Sequence, residues 1–155
     1  MIGIRRILCP TDFSDASMSA VPYAIETARL FKAQVFVIHV VPPLPPLVEE
    51  PGIYIQPPTE YLDYLRSDAD KRLDHILSKR IPPEVNSAKV LVDGDAAYEI
   101  IQAVEKLQID LITIAVHGRT GSHHLVLGSV AEKVVRMSQV PVLTVRDEAS
   151  VKKQL

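Results

Sequence analysis

The sequence predicts an α/β protein: an open parallel sheet with helices packed on both faces. Three observations carry this prediction. Apolar segments of strand length alternate with segments whose apolar residues recur at helical spacing. The strand-like segments are apolar on both faces, as strands covered from both sides must be. The strand–helix alternation runs the length of the chain, which implies right-handed crossovers within one sheet.

Element by element, "RRILCPTD" (residues 5–12) reads as a charged lead-in and a buried strand from Arg6 to Cys9, stopped by Pro10. Cys9 reads as a small core residue. Val21, Ile25, Ala28 and Phe31 then mark one helix, with Ser14 as its N-cap and Pro22 either near its first turn or bending it. "AQVFVIHVV" (Ala33 to Val41) is the clearest strand, and His39 within it reads as a satisfied core histidine rather than a ligand. Pro42 to Pro58 holds seven of the twelve prolines and reads as a loop, neither strand nor helix interior. Thr59 is placed to cap a helix whose buried stripe is Leu62, Leu65, Ala69, Leu73 and Ile76. A strand from Ala88 to Gly94 ends in a turn. Asp95 caps the next helix, with stripe Ile100, Val104 and Leu107. Asp110 to Val116 forms a strand, Val130, Val134 and Met137 mark the last helix, and Val140 to Val145 the last strand. The polar tail from residue 146 is expected to fray.

The totals bound the rest. At 155 residues the chain is one domain's worth (1–155), with the proline-rich loop as an excursion inside it. A net charge of −2 gives no bulk field for nucleic acid or an anionic membrane, and no apolar run reaches the length of a span. One cysteine rules out an internal disulfide, and the N-terminus lacks a secretory h-region. The expected compartment is the cytoplasm.

Function is expected where ligands meet open parallel sheets, beyond the strands' carboxyl ends at the point where strand order reverses. Two turns compete for that place. One is "CPTDFS", where Asp12 can accept hydrogen bonds from ribose hydroxyls or serve as a turn residue. The other is "AVHGRTGSHHLVLGS" (Ala115 to Ser129), with three of six glycines and three of five histidines. Gly118, Gly121 and Gly128 permit close approach to main-chain N–H groups, and Gly128-Ser129 opens a helix whose dipole favours phosphate. No Walker lysine and no G-x-G-x-x-G fingerprint accompanies them. Other readings stay open. Ser129-Val-Ala-Glu132 has the form of a capping box, Gly118 and Gly121 can simply shape a turn, and Arg119 can be a solvated charge. His117, His123 and His124 lack a nearby carboxylate and read as polar surface rather than a metal site.

These residues resemble the universal stress protein family, through "ILCPTDFSDAS", "VFVIHVV", "VDGDAAYEI" and "DLITIAVHGRTGSHHLVLGSVAEKVVRMSQVPVLTV". ATP-binding members carry G-x-x-G, nine residues, then G-S or G-T. Here the frame is Ala115-x-x-Gly118, nine residues, then Gly128-Ser129, so alanine stands at the first glycine. The resemblance implies a three-layer, five-stranded parallel sheet in order 3-2-1-4-5. It implies adenine and ribose near Pro10, Thr11, Asp12 and the main chain of Val40, and phosphates near Gly118, Gly128, Ser129 and Val130. With Ala115, Arg119 and Gly121 these form the candidate binding set. The implied ligand is ATP, with or without Mg2+, or AMP or another adenine nucleotide.

At Ala115 a left-handed φ would strain alanine, whereas a strand-like φ would merely narrow the site. The second is expected, because Ala115 directly follows "LITI". His123 and His124, titrating near pH ~6.5, would raise phosphate affinity as pH falls. The uncharged "VPVLTV" is an edge strand in the family order, and family members cover it by pairing with a second subunit. A homodimer through Val140 to Val145 is therefore expected. Three functions fit: an ATP-binding stress protein acting through nucleotide-dependent contact with a protein partner, a nucleotide-free dimeric interaction module, and a slow ATPase. The last ranks lowest, since no general base or metal-ligand set is identified.

Overall fold

The structure, a computed structural model, describes residues 3–50, 53–55, 57–116 and 127–146, with backbone alone for 47–50 and 53–55. The elements in chain order are β1 (Arg6–Pro10), α1 (Asp15–Met18), α2 (Ala20–Phe31), β2 (Gln34–Val41), β3 (Leu47–Glu50) and β4 (Ile53–Ile55). They continue with α3 (Thr59–Arg80), β5 (Ser87–Asp93), α4 (Ala96–Lys106), β6 (Leu111–Ala115), α5 (Ser129–Met137) and β7 (Val142–Val145). Five strands form an all-parallel sheet in the order β5-β2-β1-β6-β7. With the separate β3–β4 pair left out of the numbering, this is the expected 3-2-1-4-5.

Strand alternation divides the sheet's side chains between two apolar layers. Ile7, Cys9, Val35 and Val37 face α2 and α3, where Ala24, Ala28, Leu73 and Ile76 meet them. Leu8, Ile38, Ile112 and Ile114 face α4 and α5, where Ile100, Val104 and Val134 meet them. Each large aliphatic side chain removed from water in this way contributes about 1.5–3 kcal/mol.

The two edges of the sheet differ. On β5, Lys89 bonds Asp70 at 2.8 Å and Asp74 at 2.7 Å, both from α3. On β7, Leu143 and Thr144 are exposed and carry no charge.

Several sequence expectations need correction. Pro10 does not stop β1 but is its last residue, pairing with Ile38. It can do so because a strand end needs no further N–H from it. The expected first helix is two. Ser14 caps only the short α1, its side chain accepting from the Ser17 N–H, and α2 restarts at Ala20. Pro22 is the cause: it has no N–H for the Met18 carbonyl and fits only the first turn of a new helix. Phe31 and Met137 end α2 and α5 as their helical spacing predicts, each 47% exposed. Thr59 lies inside α3, whose cap is Pro58 with no side-chain bond. Leu62 and Leu65 are half-buried, and the buried stripe begins at Ala69. Within 42–58, β3 and β4 pair as an antiparallel hairpin, Leu47 with Ile55 and Val48 with Tyr54. The prolines flank these strands and Pro51-Gly52 falls between them in sequence, so the ladder itself needs no proline N–H.

Candidate functional site

From β1 the chain crosses to β2 and β5 on one side, and later supplies β6 and β7 on the other. Strand order therefore reverses between β1 and β6. A cavity of about 270 Å³ opens at the carboxyl ends there. Pro10, Thr11 and Asp12 reach it from the end of β1, Val40 from β2, Ala115 from β6, and Gly128, Ser129 and Val130 from the start of α5. Gly118, Arg119 and Gly121 lie outside the described residues, as do His117, His123 and His124.

The loop after β1 is built from its own side chains. The Thr11 N–H donates to the Ile38 carbonyl at 2.9 Å, continuing the ladder by one bond. Thr11 Oγ1 lies 3.0 Å from Ser17 Oγ and accepts the Phe13 N–H at 3.0 Å. The Asp12 N–H donates to Ser17 Oγ at 3.3 Å. Asp12 Oδ1 accepts both the Ser14 N–H, at 3.0 Å, and the Ser14 hydroxyl. Phe13 is held at φ +66°, a left-handed conformation that costs an aromatic residue about 1–3 kcal/mol. The surrounding bonds over-determine the turn and hold it there.

The main chain of Val40 is directed at the same space. On β2 the Gln34 N–H and the Ile38 carbonyl bond toward β1, through Arg5 and Thr11. The Val35 N–H and the Val41 carbonyl bond toward β5, through Asn86 and Gly94. Backbone groups alternate sides along a parallel strand. Val40 therefore points its N–H and C=O toward β1's side, past the level at which β1 has ended.

Opposite in the sheet order, α5 begins without a side-chain cap. The Gly128 N–H donates to the Val116 carbonyl at 2.7 Å, which ties the helix start to the end of β6. The first helical bond runs from the Glu132 N–H to the Gly128 carbonyl at 2.9 Å. The N–H groups of Ser129, Val130 and Ala131 thus precede the intrahelical ladder, and all three residues line the cavity. The capping-box reading of Ser129 is overturned. Gly128 holds the cap position, so Ser129 sits one residue too far along to bond back, and Glu132 pairs with Arg136 instead.

Ala115 is the last residue of β6, pairs with Val145, and is absent from the positive-φ residues. Its methyl belongs to the apolar layer that holds Cys9 and Ala24, on the sheet face away from α5. Alanine here is unstrained. Cys9 is fully buried, and burial pushes its thiol up to about 12, so no thiolate chemistry is available to the site.

Sequence reasoning missed several wall residues: Ser17, Ile38, His39, Ala96, Ile100, Ile114, Val116 and Ala131. Ala96 and Ile100 stand four apart just after the Asp95 cap, a spacing that puts both on one face at the carboxyl edge. That signal was present in the sequence. Among the described residues no group of three His, Cys, Asp or Glu could hold a metal. No helix among them is long and apolar enough to cross a membrane.

Fold and cavity define an open, doubly wound α/β protein with a ligand-sized hollow at its topological switch point. A sequence profile described as the universal stress protein family matches residues 3–146, and the chain belongs to that family. It is 33% identical to universal stress protein MJ0531 of Methanocaldococcus jannaschii, over 92% of this chain and 82% of that one. It superimposes on the solved structure of the M. jannaschii protein MJ0577 with a TM-score of 0.78 and 26% identity, over 95% of this chain and 99% of that one. The universal stress protein from Archaeoglobus fulgidus solved in complex with dAMP shares the fold: TM-score 0.59, 21% identity, 93% and 98% coverage.

Proposed function

We propose that this chain binds an adenine nucleotide, ATP in the first instance, in the switch-point cavity, and that it acts as a regulatory binding protein. The observation that carries the reading is the uncapped first turn of α5. Three backbone N–H groups and the positive end of the helix dipole enter a cavity that also holds Asp12 and the Val40 main chain. Donor chemistry and ligand match: N–H groups at a helix start suit phosphate, a carboxylate suits ribose hydroxyls, and an apolar wall with edge-on backbone groups suits a base. Pro10, Thr11, Asp12, Val40, Ala115, Gly128, Ser129 and Val130 form the described part of the site. Gly118, Arg119 and Gly121 complete the proposed set. The dAMP complex of a protein with this fold supports an adenine ligand. When ATP carries Mg2+, the ion enters with the phosphates, and the protein supplies the cavity around them.

Calorimetric titration with ATP, with and without Mg2+, tests the reading. Saturable heat and a raised melting temperature are expected. No heat and no thermal shift at millimolar ATP would overturn it. Ultraviolet absorbance of the supernatant after denaturing freshly purified protein is expected to show co-purified adenine nucleotide.

The proposal extends to a cytoplasmic homodimer joined through β7, with a protein partner whose contact depends on the bound nucleotide. Exposed, uncharged Leu143 and Thr144 on this edge favour it. Leu143→Lys is expected to convert the dimer to monomer in sedimentation. A wild-type monomer at micromolar concentration would count against the pairing.

A further inference from the structure

We propose that His39 is a positioning residue of the cavity: it takes the Thr11 carbonyl out of the sheet ladder and so keeps the Val40 N–H turned to the ligand. The inference rests on the nucleotide reading above for its consequence, though not for its geometry.

The β1–β2 register runs from Arg6 opposite Gln34 to Pro10 opposite Ile38, and the next bond is the Thr11 N–H to the Ile38 carbonyl. In a ladder continued by one more bond, the Thr11 carbonyl would accept from the Val40 N–H. It accepts from a side chain instead. His39 Nδ1 lies 2.8 Å from the Thr11 carbonyl oxygen. A carbonyl oxygen can only accept, so Nδ1 carries the proton. One side-chain bond thus ends the ladder, turns the chain into the Asp12–Phe13 loop, and leaves a backbone donor of β2 directed into the cavity. His39 is 9% exposed and lines that cavity.

The imidazole is held in this orientation by a stack. The Phe13 ring lies 4.2 Å from it, centroid to centroid, tilted by 31°. The guanidinium of Arg72, from α3, lies 4.4 Å from the Phe13 centroid. The left-handed turn at Phe13 places its ring against His39, which links the strained loop residue to the side chain that anchors the loop.

Three measurements on the full chain test the proposal. In the wild-type protein without nucleotide, a one-bond 15N–1H correlation is expected to show Nδ1 of His39 protonated at neutral pH. An unprotonated Nδ1 overturns the proposal. In His39→Leu, the Thr11 carbonyl is left to the Val40 N–H. Amide exchange at Val40 is then expected to slow at least about tenfold, and affinity for ATP to fall by a similar factor. His39→Asn puts an amide N–H where Nδ1 stood and is expected to restore both readouts to within about threefold. A fall in melting temperature in His39→Leu with Val40 exchange unchanged would mean that the ring only fills space, and would overturn the proposal. So would a His39→Asn variant that behaves like His39→Leu. If His39→Leu does not fold, the wild-type correlation and His39→Asn still decide. Wild-type protein that binds no nucleotide defeats the functional reading alone, because the proton position and the Val40 exchange are read without ligand.

Discussion

Two helices begin at the carboxyl edge of the sheet and both wall the same cavity, yet their first turns are finished differently. On α4, Asp95 caps the helix, its carboxylate accepting the Tyr98 N–H at 3.0 Å. On α5, Gly128 occupies the cap and offers no side chain. An aspartate at this position satisfies one orphan N–H and sets a negative charge against the helix dipole, a gain of about 1 kcal/mol. Glycine gives up only a few tenths of a kcal/mol of that and leaves the same groups for something else. The first turn that is closed contributes Ala96 and Ile100 to the cavity as apolar wall. The first turn that is open contributes backbone donors. A side-chain cap and open backbone donors are alternatives at one structural position, and the two helices at this cavity show one of each.

Exchanging the finish should break the comparison most strongly. Gly128→Asp sits at φ −58° and ψ 152°, which any residue adopts, so the variant is expected to fold and to gain a few tenths of a kcal/mol from its new cap. ATP binding should be lost, since the carboxylate occupies and repels where phosphate would sit. Chemical denaturation and calorimetry read the two opposite effects. A variant that still bound ATP with wild-type affinity would place the phosphates elsewhere.

The reverse exchange should separate the two helices again. Asp95→Ala is expected to cost about 1 kcal/mol, a fall of roughly 2–4 °C in melting temperature for a domain this size. ATP affinity should remain within about twofold, because the lost carboxylate serves α4 alone.

Ala115→Gly gives the smallest effect. Its methyl packs in the layer opposite α5, so restoring the family's glycine should cost about 0.5–1 kcal/mol in stability and change affinity by less than about twofold. A large gain in affinity would show instead that the methyl crowds the ligand.

Much of this was legible in the sequence because periodicity and capping act locally. The strand order followed from the family likeness. Asp95 as a cap, Ala115 as strand and the placement of Asp12 at a strand end each needed a few adjacent residues. What stayed hidden depended on one residue overruling a pattern. Pro22 broke a helix that the apolar spacing made continuous. Ser129 and Glu132 matched a capping box, but Gly128 held the cap one position earlier. The proline count of 42–58 masked two short proline-free runs. His39 reads from the sequence as a core residue, and its burial supports that. Its second role depends on where β1 ends relative to β2, a register that no single segment carries.

The sheet's two edges set a limit on assembly. β5 carries Lys89, bonded to two aspartates of α3, and a strand so charged is a poor template for another. Among the described residues, β7 itself (Val142–Val145) carries no charge. A sheet open at both edges could add neighbours without end and grow into a filament. With one edge blocked, edge-to-edge pairing uses the remaining side of each molecule once and has nowhere further to go. In the assembly proposed through β7, the ion pairs on β5 would therefore act on stoichiometry: they favour two chains over a growing filament.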